Sequence, residues 1–160
     1  PVLGARLIAN DLSTGVLAVE VKLAGRTDYL ISTPDQANRS YGPVTAAGEL
    51  AFVSVDDRGQ CTQAYLLAGT RLACGSLKVD LPASETTLRV RSVQGRIFHL
   101  SDPLPPGGAV SGSCLLAGDA PRTGFEIESA GADAITVRDY PAIACDGVTL
   151  LNSRWVSRKA

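Results

Sequence analysis

The chain has 160 residues, with 15 Lys and Arg against 16 Asp and Glu and a net charge of −1. That balance lacks the basic excess of a dedicated nucleic-acid binder, so no nucleic-acid partner is expected. Hydrophobic residues make up 45% of it, yet no apolar run approaches the roughly 18 residues of a bilayer-crossing helix, and no membrane span is expected.

The length suits one domain, taken here as a single β domain over residues 1–160. The opening PVLGARLIAN lacks a start methionine and a charged leader, and the chain contains no Met, which suggests a fragment or processed part of a larger protein.

Period-two alternation dominates from end to end, and helical periodicity is nearly absent. Val2 to Ala9 reads as a first strand, ended by Asn10-Asp11. Leu17, Val19, Val21 and Leu23 alternate with Ala18, Glu20 and Lys22, which predicts a half-buried strand whose leucine-valine face is inward. Tyr29 and Ile31 share a face of the next strand. Residues 34–48 carry no convincing pattern and read as a long surface loop, a kind of segment that is uncommon in compact domains unless it binds something or is mobile; the plain surface connection is the expectation. Ala51, Val53 and Val55 lead into a turn at Asp56-Asp57-Arg58-Gly59, and a second reversal is expected over Leu66-Leu67-Ala68-Gly69. Gly75-Ser76 predicts a two-residue turn into Leu77, Val79 and Leu81. Strands follow over Thr86 to Val93, Arg96 to Leu100, Val110 to Ala117, Thr123 to Ser129 and Ile135 to Val137, with a proline- and glycine-rich connection at 101–112. The last hairpin is expected in IACDGVTLL, turning at Asp146-Gly147. A dozen strands at this spacing predict an all-β fold with little or no helix: an antiparallel, jelly-roll-like β-sandwich, or alternatively a β-barrel.

Four cysteines are scattered singly, with no C-x-x-C and a lone histidine, so disulfides are expected rather than a metal site. A reversal at 66–69 would place Cys61 opposite Cys74 at about 4.5–5.5 Å between Cα atoms, within disulfide reach. The words LLAG at 66–69 and 115–118, and ACGSLKV against ACDGVTL, suggest two related halves and a second pair, Cys114 with Cys145.

Chemistry is sparse. His99 stands near Ser101 and Asp102, but neighbours along one strand point in different directions and do not make a triad. Carboxylates such as Asp56, Asp57, Glu126 and Glu128 have turn or solvent-face explanations, and no catalytic residue and no cofactor is expected. Arg89 and Arg91 share one strand face, and the Gln94-Gly95 turn returns Arg96 beside them. Three guanidiniums there suit sulfates or carboxylates of an acidic polysaccharide. Tyr140 and Trp155, near turns, are the aromatics expected to be exposed, and they complete the candidate polysaccharide-binding set.

Three stretches, AFVSVDDRGQCTQAYLLAGTRLACGSLKV, VQGRIFHLSDPLPPGG and TGFEIESAGADAITVRDYP, within residues 50–140, resemble the noncatalytic β-rich C-terminal region of bacterial heparinase II/III-like polysaccharide lyases. The resemblance implies an accessory module of an exported, secreted or periplasmic, carbohydrate-active protein, packed on a catalytic chain or domain that holds the catalytic Tyr, His and Arg. The alternatives are a small hydrolase or lyase with a site built from loops 34–48 and 101–112, and a structural component of a virion or secretion apparatus.

Overall fold

A computed structural model describes residues 1–104, 113–118 and 122–157. Among these the chain is all-β, antiparallel and without helix. No described helix is therefore long and apolar enough to cross a membrane. Where the sequence reads as one domain, the described residues form two compact units with separate cores: residues 1–84 together with 154–157, and the described residues of 85–153.

The first unit contains β1 (Val2–Asp11), β2 (Val16–Leu23), β3 (Arg26–Ser32), β4 (Arg39–Tyr41), β5 (Val44–Asp56), β6 (Cys61–Cys74) and β7 (Leu77–Asp80). The sheet order is β1-β2-β3-β5-β6, completed by β14 (Ser153–Ser157), with β4 added beside β5 and β7 beside β6. β5 and β6, at 13 and 14 residues, are long enough to serve two layers. Residues 51–56 of β5 pair with β3, whereas residues 44–46 pair with β4. The far end of β6, residues 71–74, pairs with β7. Both layers contribute to one core, Ala18, Tyr29, Ile31, Val53 and Leu66 from the first and Val44, Ala46, Leu72 and Val79 from the second. The long hairpin is thus folded over, and its side chains meet across the sandwich.

The fold-over sits at paired glycines. Gly48 is opposite Gly69, next to a register shift, and Ala68 takes a φ of 44°. Buried Thr33 braces the spot: its hydroxyl accepts from the Gly48 N–H at 2.9 Å, and its own N–H donates to the Gly48 carbonyl at 2.8 Å. The Gln36 amide donates to the Ala68 carbonyl at 2.8 Å. The segment 34–48, patternless in sequence, therefore contains β4, the start of β5 and part of this brace.

The expected reversal over Leu66–Gly69 is absent, because these residues lie inside the continuous strand β6. The turn at Asp56–Gln60 is present, with Asp56 Oδ1 accepting from the N–H groups of Arg58 and Gln60. So is the two-residue turn after Cys74, where Cys74 pairs with Leu77 and Gly75 has a φ of 57°.

The second unit is a closed barrel of six strands. In order these are β10 (Cys114–Ala117), β11 (Thr123–Ala130), β12 (Ala134–Val137), β9 (Ile97–Leu100), β8 (Glu85–Gln94) and β13 (Gly147–Leu151), which returns to β10. The barrel alternative describes this unit. Alternation fills it: Leu88, Val90, Phe98, Leu115, Phe125, Ile127, Ile135, Val137 and Leu150 point inward. The Phe98 and Phe125 rings lie 6.1 Å apart at a tilt of 51°. Glu126 and Glu128 face out, as the sequence pattern predicts.

The predicted IACDGVTLL hairpin does not form. Residues 141–146 are not strand, and β13 pairs with β8 and β10 instead. Barrel closure, a long-range pairing, overrides the local Asp-Gly turn preference. The suggested duplication fails with it: LLAG at 66–69 crosses a bend inside one strand, whereas at 115–118 it ends one.

Candidate functional site

The most consequential departure from the sequence reading is the facing of β2. Ala18 is fully buried and Glu20 is 8% exposed, while Leu17 is 43% exposed. The glutamate face is inward and the leucine-valine face is outward, the reverse of expectation. Partners make this tolerable: Glu20 accepts from the Arg6 guanidinium at 3.2 Å and from the Tyr29 phenol. Burial, and then the Glu20 carboxylate, push the Tyr29 phenol above its ordinary range.

With β2 inverted, its apolar side chains join a row across the outer face of the sheet. Leu7 of β1 is opposite Val19 of β2, Val19 opposite Leu30 of β3, Leu30 opposite Phe52 of β5, and Phe52 opposite Tyr65 of β6. The Tyr65 ring then meets Trp155 of β14 at 6.0 Å. Five steps at about 4.8 Å make a strip of roughly 24 Å. Leu7 is 54% exposed, Leu30 41% and Trp155 56%, and Leu17 and Leu50 are further exposed leucines of the same sheet. Beside the row runs a polar one, Asp28, Ser54 and Gln63 in register, in which Asp28 and Ser54 are buried and the Ser54 hydroxyl donates to Asp28 at 2.7 Å. An exposed apolar strip with aromatic residues at one end has the composition of a protein–protein contact.

The arginine set is not brought together as one patch. Arg89 and Arg91 both face outward from β8, and Arg96 follows the β8–β9 turn, but each neighbourhood carries acids. Arg89 makes a bidentate pair with Asp102, at 2.9–3.1 Å. Arg96 donates to Glu128 at 2.8 Å and to the Arg138 carbonyl at 3.1 Å, while Arg138 pairs with Glu126. Arg91 sits at a register irregularity of β8 and has no ion pair among the described residues. Tyr140, 69% exposed, belongs to the same unit, whereas Trp155 belongs to the other. The exposure expected of both aromatics is present.

Both oxygens of Asp102 accept from Arg89, and no His99–Asp102 hydrogen bond is present among the described residues. His99 is half-buried on β9, opposite Ala134 and Ser92. Residues 105–112 of the proposed loop site lie outside the described residues. A shallow depression of about 300 Å³ over β1 and β2 is lined by Gly4, Ala5, Arg6, Glu20 and Lys22. Its acid is already bonded to Arg6 and Tyr29, so it offers a cationic rim to an anion rather than an acid–base pair. Sequence reading missed Arg6, Glu20 and Lys22 because it placed β2 the other way round.

None of the four cysteines forms a disulfide in this structure. The pairing of Cys114 with Cys145 is overturned by register. Cys114 lies opposite Leu151 at one end of β10, whereas Cys145 receives the Gly118 N–H beyond the other end. Four strand residues separate the two places by roughly 13 Å, beyond disulfide reach. Cys61 and Cys74 are not opposed across a hairpin either, being the two ends of β6. Their thiols nevertheless meet in the core through the fold-over, and Cys74 is hydrogen-bonded to Cys61.

No family model, no curated protein and no solved structure matches the chain.

Proposed function

We propose that this chain is a noncatalytic accessory β module of an exported carbohydrate-active protein, and that it rests the outer face of its first sheet on a catalytic partner chain or domain. The observation carrying this reading is the row Leu7–Val19–Leu30–Phe52–Tyr65–Trp155. This sheet keeps its main apolar face in the core but turns exposed Leu7, Leu30 and Trp155, with half-buried Val19, Phe52 and Tyr65 between them, outward, and covering them would release ordered water from the exposed parts of the strip. The carbohydrate setting and the secreted or periplasmic location rest on the resemblance of residues 50–140 to polysaccharide-lyase β regions. Contact with acidic polysaccharide is the subsidiary role, since Arg89 and Arg96 are already matched by Asp102 and Glu128.

The test is a double variant, Leu7→Glu with Leu30→Glu, which places charge on the row without touching either core. Its circular dichroism should match that of the parent, and its affinity for the catalytic partner should fall by at least tenfold, equivalent to about 1.4 kcal/mol. Undiminished affinity in a folded variant would overturn the assignment of this face. Turnover of an acidic polysaccharide by the isolated chain would overturn the noncatalytic reading.

A further inference from the structure

Two cysteines at opposite ends of one strand do not ordinarily meet. Fourteen residues of straight β-strand would hold Cys61 and Cys74 about 40 Å apart. Here the bend at Gly48 and Gly69 turns the second half of β6 into the opposite layer. Cys61, paired with Val55, and Cys74, paired with Val44, then both point into the same core. Cys61 is 6% exposed and Cys74 2%. Cys74 is hydrogen-bonded to Cys61, and the Cys61 thiol donates to the Gln63 carbonyl at 3.5 Å.

We infer that Cys61 and Cys74 are an oxidisable thiol pair that closes into a disulfide across the first unit, locking the fold-over of the β5–β6 hairpin, when the chain meets a small-molecule disulfide such as oxidised glutathione. The exchange balances in two steps. The Cys61 thiolate attacks one sulfur of the reagent, forming a mixed disulfide and expelling one thiolate. The Cys74 thiolate then attacks the Cys61 sulfur and expels the second, so the two protein thiols lose two protons and two electrons and the reagent gains both. Cys61 acts first because it is the more exposed and adjoins the Asp56–Gln60 turn, where local opening costs least. Cys74 suits the resolving role, since burial and the neighbouring Cys61 push its thiol up to about 11, which makes it a poor first nucleophile. The bond ties together two layers that the strand connects only through its bend. Cys114 and Cys145, outside this core, take no part.

The chain places a tryptic site between the two: cleavage after Arg58, Arg71 and Lys78 puts Cys61 in peptide 59–71 and Cys74 in peptide 72–78. The experiment uses the whole chain with Cys114→Ser and Cys145→Ser, reduced with a phosphine, incubated with oxidised glutathione, alkylated and digested. The expected product is lighter by two hydrogens, resists alkylation at both cysteines, and yields peptides 59–71 and 72–78 as one linked species. Its thermal midpoint rises by about 10 °C over the reduced form, and the rise disappears on adding the phosphine. A stable glutathione adduct on either cysteine, or full alkylation of both after oxidation of a chain that is still folded, would overturn the proposal. Should the serine variants unfold, the same linked species is sought in the parent chain, where links from Cys61 or Cys74 to Cys114 or Cys145 would overturn it equally.

Discussion

Gly48 and Gly69 face each other across β5 and β6, and neither has room for a side chain. A Cβ on Gly69 would lie 2.5 Å from the Ala47 carbonyl oxygen and 2.8 Å from the Gly48 Cα; one on Gly48 would lie 2.9 Å from the Gly69 Cα. These are backbone atoms and cannot swing away. The pair is what lets one hairpin supply both layers of the first unit, and so what brings Cys61 to Cys74.

Gly69→Ala should therefore destabilise the first unit by about 2–4 kcal/mol, a steric cost at a position without positive φ. Gly75→Ala, where φ is positive and the space open, should cost only about 1 kcal/mol. Urea denaturation of both variants checks the order. Equal losses would show that the close approach at the fold-over does not govern stability.

Strand periodicity and turn chemistry made much of this fold legible. The Asp56–Gln60 turn, the Gly75 turn, and the inward Phe125 and Ile127 follow from residues within a few positions of one another. What was not legible depended on distant partners. β2 offers apolar residues on both faces, and the choice is decided by Arg6 and Tyr29, which make Glu20 acceptable inside. Asp146-Gly147 is a strong local turn signal, but β13 gains two neighbours by closing the barrel. Leu66–Gly69 resembles a loop by composition, and only its pairing with residues 48–51 reveals a bent strand. The outer row was hidden for the same reason as β2: its members are adjacent only after six strands are set in register.

Alkaline pH should weaken the reduced protein through Cys74. Its folded-state thiol is raised from 9.0 to about 11, first by burial and then by Cys61. Between those values the unfolded chain gives up a proton that the folded chain keeps. The stabilisation is therefore full below about pH 9 and is lost as pH rises through about 11, to a limit of about 3 kcal/mol. Urea midpoints of the parent and of Cys74→Ala, compared at pH 8.5 and pH 11, should converge at the higher pH. A constant gap would mean that the thiol is not held in its protonated form by this core.

The exposed ion pairs of the barrel should matter little to its stability. Arg89→Ala and Arg96→Ala each remove a pair to a partly solvated carboxylate and should cost under about 1 kcal/mol. On a sulfated-polysaccharide column the parent should be held weakly and released by modest salt, and Arg91→Ala should lose more retention than Arg89→Ala, because Asp102 already offsets Arg89. Tight retention that persists at high salt would contradict the subsidiary place given to glycan contact.

Hydroxyl-radical footprinting of Tyr65 and Trp155 tests the central claim most directly, because it reads the outer face itself, whichever partner covers it. The isolated chain should be labelled heavily at Trp155, which is 56% exposed. In the protein taken from its own cells with its partners attached, labelling of Trp155 and Tyr65 should drop at least fivefold, while Tyr140 on the barrel unit stays as reactive as before. Equal labelling of Trp155 in both preparations would contradict the assignment of the outer face as the surface this module rests on.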